Sequence, residues 1–112
     1  MEVIFYETRS GKIPVNDFLA SLNEKLEAKT VRTIELFGEL GMNLREPLSK
    51  PLDDGIFELR TKFGKDITRV LFFFIHDDRA VLTHGFVKKT RKTPFAEINR
   101  AKQYRKDYLA RN

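Results

Sequence analysis

Hydrophobic positions along the chain change period several times, and each change marks the boundary of a predicted element. Alternation over residues 2–8, which are rich in Val, Ile, Phe and Tyr, predicts a first β-strand that ends at a Ser-Gly turn. Helical spacing over residues 14–41 then predicts a helical hairpin, because Pro14 suits a first helical turn and Gly41 is a C-terminal stop signal.

The middle of the chain predicts a loop followed by three strands. Residues 43–55 contain Pro47, Pro51 and an Asp-Asp-Gly run, which are typical of a connection. The central strand of the three is apolar on both faces, and the two turns between the strands are short. The three strands are predicted over residues 56–62, 67–76 and 79–87.

The last predicted element is a helix. Thr93 and Pro94 form a good N-cap and first-turn pair. An apolar stripe follows at helical spacing, formed by Phe95, Ile98, Ala101, Tyr104 and Tyr108. The order predicts an α+β fold: an N-terminal strand, a helical hairpin, a three-stranded antiparallel meander that completes a four-stranded sheet, and a C-terminal helix. Residues 1–112 are expected to form a single domain.

Composition narrows the classes of chemistry. The chain has no cysteine, which excludes disulfides, thiolate nucleophiles and cysteine-ligated metals. The N-terminus lacks a basic export signal and no apolar run is long enough to span a membrane, so we expect a cytoplasmic protein with no membrane partner. The sequence contains no Gly-rich phosphate loop, no nucleophile elbow and no metal-ligand spacing around its two histidines. Any chemistry is therefore predicted to need neither a metal nor a cofactor.

Charge is distributed unevenly along the chain. Residues 1–59 hold seven Lys or Arg and eleven Asp or Glu, whereas residues 60–112 hold fourteen and five, so the halves carry −4 and +9. A basic half on a folded domain favours an acidic partner, either nucleic acid or an acidic protein. Four cations, Lys88, Lys89, Arg91 and Lys92, follow the last strand directly, and they are interpreted either as an anion site or as a solvated charge run.

Strand pairing predicts which side chains converge. With short turns, Glu58 faces Leu71, which faces His84, and Arg60 faces Arg69, so one face of the sheet collects these polar groups together with Lys88. Two opposed arginines repel one another unless a carboxylate or a bound anion lies between them. The pattern therefore predicts either a structural ion-pair network around Glu58 or a phosphate site, and His84 is either a proton shuttle or a packed side chain.

Three segments resemble the RelE/ParE toxin superfamily, and within it the HigB-like, phage Gp49-related branch. They are GIFELR at residues 55–60, RVLFF at 69–73 and HGFVKKTRKTP at 84–94. The resemblance implies a toxin of a type II toxin-antitoxin pair that cleaves mRNA on the ribosome and is held inactive by a helix-turn-helix, HigA-like antitoxin. RelE-like enzymes use a basic cluster in place of a metal.

Motif alignment with that family assigns roles to individual residues. Arg60, Arg69 and Lys89 match cationic positions of the catalytic cluster. The other cations of the basic segment, Lys88, Arg91 and Lys92, are predicted to bind RNA. Glu58 stands where the RelE pattern has a lysine, and Phe95 where it has an aromatic hydroxyl. We therefore hypothesise that Glu58 or His84 accepts the 2′-hydroxyl proton. The alternatives are a ParE-like DNA gyrase poison and a non-catalytic module that binds RNA or the ribosome.

Overall fold

The computed structural model describes residues 1–76, 78–87 and 91–112, and over these ranges the chain forms a mixed sheet covered by helices on both faces. Within them, no helix has the length and apolar character needed to cross a membrane. The elements in chain order are β1 (Glu2–Phe5), α1 (Pro14–Ala20), α2 (Glu24–Leu40), β2 (Ser49–Asp53), β3 (Ile56–Phe63), β4 (Asp66–Ile75), β5 (Arg79–Val87) and α3 (Phe95–Arg111).

The sheet has five strands in the order β1-β5-β4-β3-β2. Strands β2 to β5 form an antiparallel meander, and β1 pairs parallel to β5. The prediction of a four-stranded sheet with a three-stranded meander is therefore wrong by one strand, because residues 49–53 were expected in a loop. Pro51 is tolerated in β2 because this strand lies at the sheet edge, where a missing N–H need not break a ladder hydrogen bond.

The strand registers confirm the predicted pairing of the polar residues on β3, β4 and β5. Glu58 is paired with Leu71, Arg60 with Arg69, and Leu71 with His84, as expected from short turns. At the start of β5, however, Ile75 is paired with Arg79, one position away from the predicted register. The register shifts between Leu71 and Phe72, where Thr83 is the extra residue on β5, and beyond this shift the pairing is the predicted one. The Thr83 hydroxyl donates to the Leu71 carbonyl at 3.1 Å.

Each face of the sheet has its own apolar core. The core beneath α1 and α2 includes Phe37 and Phe72, whose ring centroids lie 4.6 Å apart. The core beneath α3 is smaller, and Ile98 and Ala101 are the only residues of that helix that are buried. Phe95 is 68% exposed, so its predicted place on the packed stripe is wrong.

Salt bridges hold α3 to the far edge of the sheet. Lys102 Nζ lies 2.6 Å from an oxygen of Asp53, and Arg105 lies 2.9 Å from an oxygen of Asp54. Asp53 is the last residue of β2, and Asp54 follows it in the turn to β3. Much of the positive charge on α3 is thus neutralised within the protein, so the basic C-terminal half is less basic as a surface than its sequence indicates.

A second polar contact fastens the other end of α3. The Tyr6 hydroxyl donates to Asp107 at 2.6 Å, and both Arg9 and Arg111 lie 2.7 Å from oxygens of the same carboxylate. Hydrogen bonds from Tyr6 and Arg9 lower the pKa of Asp107 to about 2, and burial, with the nearby carboxylate, raises the pKa of Tyr6 to about 12. Asp107 therefore stays ionised, and this contact stays formed, throughout the neutral pH range.

Two glycines test the packing on the face of the sheet beneath α1 and α2. A Cβ at Gly85 would lie 2.3 Å from the ring of Phe18, so Gly85→Ala is expected to destabilise the protein by about 1–3 kcal/mol. At Gly38, within α2, the nearest atom would lie 3.7 Å away, so the same change there is expected to stabilise by about 0.5–1 kcal/mol. Urea denaturation measures both, and equal effects would contradict this close approach of α1 to β5.

Candidate active site

The predicted polar residues converge on the face of the sheet beneath α3. Glu58, Arg69 and His84 lie on β3, β4 and β5, and their exposures are 1%, 0% and 3%. Arg60 lies at the rim of the group, with 25% of its side chain exposed. The predicted cluster is therefore brought together, but most of it lies beneath the surface. Lys88 and Lys89 lie outside the described residues.

A buried ion pair forms the centre of this cluster. Nη1 of Arg69 lies 3.5 Å from Oε1 of Glu58, and the same nitrogen donates to the Thr93 hydroxyl at 3.0 Å and the Arg91 carbonyl at 3.1 Å. The Thr93 hydroxyl in turn donates to Oε1 of Glu58. Because a buried charge is costly unless it is paired and hydrogen-bonded, these contacts stabilise one another. They connect β3, β4 and the segment that enters α3.

Glu58 also forms a salt bridge with a second arginine, Arg60. Nε of Arg60 lies 3.7 Å from Oε2 of Glu58, so this carboxylate lies near both members of the opposed arginine pair. The structural ion-pair network that the sequence left as one alternative is therefore present. Unlike Arg69, the Arg60 side chain reaches solvent, so it can contact a phosphate while remaining near Glu58. Phosphate binding by either arginine stays a prediction.

His84 is packed between a hydroxyl and a carboxylate. Its Nδ1 lies 3.1 Å from the Thr83 hydroxyl and its Nε2 lies 3.3 Å from Oε1 of Glu97. Burial lowers the pKa of His84, and Glu97 opposes that shift only in part. A neutral ring carries one N–H, and because a carboxylate only accepts, we assign that proton to Nε2, which donates to Glu97.

The segment after β5 brings further cations to the rim. Arg91 and Lys92 are both exposed, and the Arg91 carbonyl accepts from Arg69, so this end of the basic segment is fixed to the sheet. The exposed Phe95 ring begins α3 beside it. An exposed aromatic ring beside cations is a suitable surface for a single-stranded nucleic acid.

Three residues of this region were missed by the sequence prediction. Thr93 was expected to cap α3, but Pro94 occupies the N-cap position, and the Thr93 side chain bonds to the buried ion pair. Glu97, beside His84, carries no signal beyond being an acid in the first helical turn. Lys50 is paired with Glu58 across β2, a strand the sequence did not predict. Among the described residues, no group of three or more His, Asp or Glu could hold a metal ion.

The Thr93 hydroxyl is expected to stabilise the fold measurably. Thr93→Val keeps the shape of the side chain but leaves Glu58 and Arg69 without this bond, so we expect a loss of about 1–3 kcal/mol in the free energy of unfolding. Thr93→Ser keeps the hydroxyl and serves as the matched control. If urea denaturation gives the same stability for the two variants, Thr93 does not support the ion pair.

Acidification is expected to destabilise the protein through His84. Its pKa in the folded protein is lowered below the usual value near 6.5, so the unfolded chain binds more protons between these two values. The free energy of unfolding should therefore fall as the pH drops through 6.5, by at most about 1.4 kcal/mol per pH unit. His84→Gln should flatten this part of the profile. An unchanged slope in the variant would show that another group titrates there.

The family model described as "Phage derived protein Gp49-like (DUF891)" matches residues 17–106 of the chain. The match extends from within α1 into α3 and includes the ion pair of Glu58 and Arg69. A comparison with curated proteins finds no match. Because the family match covers most of the chain, this protein belongs to the Gp49-like family, the HigB-like family of RelE/ParE toxins.

Proposed function

We propose that this protein is the toxin of a type II toxin-antitoxin pair and acts as an mRNA endoribonuclease without a metal or cofactor, most effectively on the ribosome. Family membership suggests a RelE- or HigB-type toxin, and such toxins are typically ribonucleases. The observation that carries the proposal is the position of Arg60, a partly exposed guanidinium at the rim of a buried charge network. A cation held in this way can meet a phosphate in defined geometry.

In this proposal the cations have different roles. Arg60 contacts the scissile phosphate and stabilises the negative charge that develops on it. Arg69 is fully buried, so it supports the site by neutralising Glu58 and by fixing the segment that contains Arg91. Lys89 is assigned to the same phosphate by motif alignment. Lys88, Arg91 and Lys92 contact neighbouring phosphates, which fix the register of the RNA strand.

The proton of the attacking 2′-hydroxyl is assigned to Glu58 or His84. The 2′-oxygen attacks the adjacent phosphorus, the bond to the 5′-oxygen breaks, and that oxygen leaves with a proton taken from water. His84 is favoured on one count, because burial keeps its ring neutral at pH 7 and so able to accept a proton. Glu97 orients the ring from the helix side, at 3.3 Å.

The proposal also includes the partners of the protein and its location in the cell. A helix-turn-helix, HigA-like antitoxin would hold the toxin inactive, and the ribosome would present the mRNA. The protein would then act in the cytoplasm, where both are present. These assignments are supported by family membership alone.

Arg60→Ala is the sharpest test of this proposal. Induced expression of the wild-type chain in cells that lack an antitoxin should create new 5′ ends within translated mRNAs, and Arg60→Ala should reduce them by about 100-fold or more. Arg60 is preferred to Arg69 because removing the fully buried arginine would take from Glu58 its buried partner and would destabilise the fold as well as the site. Sequencing of RNA 5′ ends, with circular dichroism as a check on folding, measures the effect.

Lys65→Ala is the matched control, since it removes one charge from the exposed turn between β3 and β4. It should leave the cleavage pattern unchanged. Growth arrest with intact mRNA and broken DNA would instead support a ParE-like gyrase poison. A wild-type chain that is harmless without antitoxin would support a non-catalytic binding module.

A further inference from the structure

A cleft next to the candidate active site shares one residue with it, His84. Pairing between β1 and β5 ends with Phe5 opposite Leu82, while β5 continues to Val87. A cleft of about 360 Å³ opens beyond the end of β1, between α1, β5 and α3. His84 and Gly85 line it from β5.

Two exposed cations line this cleft from different elements. Lys12 comes from the loop before α1, and Arg100 comes from α3. Among the described residues, neither side chain forms an ion pair or a hydrogen bond, in contrast to the engaged Lys102 and Arg105 on the same helix as Arg100. Two uncommitted cations beside one cleft attract an anion.

The other lining groups suit a nucleotide better than a bare phosphate. The aromatic side chains of Phe18 and Tyr104 provide apolar surface, and the Tyr104 ring is fixed by an edge contact with His84 at 5.7 Å between centroids. Asp17, also in the lining, repels a small anion but can accept a hydrogen bond from the amino group of a base. A ligand that carries both a base and a phosphate satisfies all of these groups.

The position of the cleft relates it to the candidate active site. His84 belongs to the row that contains Glu58, and it also lines the cleft. From β3, which carries Arg60, to β5 is two strand spacings, on the order of 10 Å. Single-stranded RNA bound at Arg60 can therefore reach the cleft within a few nucleotides.

We infer that this cleft is a second nucleotide-binding site, which takes one nucleotide of the RNA that flanks the cleaved bond. Arg100 and Lys12 bind its phosphates, and the base lies against Phe18 and Tyr104. This inference rests on the proposed function for the identity of the RNA. The binding itself can be measured separately from cleavage.

The test is the affinity for a short RNA that cannot be cleaved. A trinucleotide with 2′-O-methyl groups is titrated into the full chain and into Lys12→Ala/Arg100→Ala, and we expect the variant to bind at least 10-fold more weakly. Its slope of log affinity against log salt should fall by about 0.7 for each phosphate that the variant no longer binds. The control Lys25→Ala/Lys106→Ala removes two charges from exposed positions outside the cleft and should stay within about 2-fold of wild type.

Mononucleotides locate the site directly. AMP is expected to shift the backbone amide resonances of Gly85 and Tyr104, and inorganic phosphate alone is expected to shift them less. Equal weakening by the two double variants, or no shift with AMP, would overturn the inference. Shifts at Gly85 with an acidic peptide but not with AMP would also overturn it, in favour of a protein partner. If mRNA cleavage is absent but the trinucleotide result holds, the proposed function fails and the cleft remains a nucleotide site.

Discussion

The buried ion pair of Glu58 and Arg69 is the interaction on which the rest of the site depends. Arg69 is completely buried, and Glu58, Thr93 and the Arg91 carbonyl compensate its charge. Through these contacts the pair fixes the relative positions of β3, β4 and the entry to α3. Glu58 also lies beside Arg60 at the rim, where the Arg60 side chain is partly exposed and can contact a phosphate. The same ion pair thus stabilises the protein and places the cations proposed to contact RNA.

Helix α3 covers this network and is attached by both apolar and ionic contacts. Ile98 and Ala101 lie in the core, Tyr104 and Tyr108 pack against it, and ionic contacts such as Lys102 with Asp53 fasten the edges of the helix. Exposed ion pairs each contribute little stability, so the helix is held by many weak contacts. Those contacts also decide which cations remain available to a partner, and the net charge of the chain alone does not reveal this.

The neighbouring groups distinguish the two candidate proton acceptors. Glu58 lies close to both arginines, whereas His84 is kept neutral by its surroundings and is oriented by Glu97. His84 also forms the boundary between the candidate active site and the cleft beneath Arg100. A single residue therefore links the two regions where we place RNA.

The sequence by itself determined the local features of this protein. The apolar patterns of β3, β4 and β5 and the short turns between them were enough to place Glu58 opposite Leu71 and Leu71 opposite His84, because hairpin pairing is set by neighbours in the chain. Helix-breaking residues also predicted where the helical region ends, because Gly41 follows α2 with a positive φ of 57°. The resemblance in three short segments pointed to the family to which the chain belongs.

Only the tertiary structure decided the features that join distant segments. Strand β2 exists because β3 offers it an edge, which outweighs the local signal of Pro51. Thr93 does not cap α3 as expected, because its hydroxyl donates to the buried carboxylate of Glu58, 35 residues away in the sequence. The burial of Arg69, which changes its proposed role from phosphate contact to support, follows from the packing of α3. No local pattern encodes these outcomes, since each depends on partners that only folding brings together.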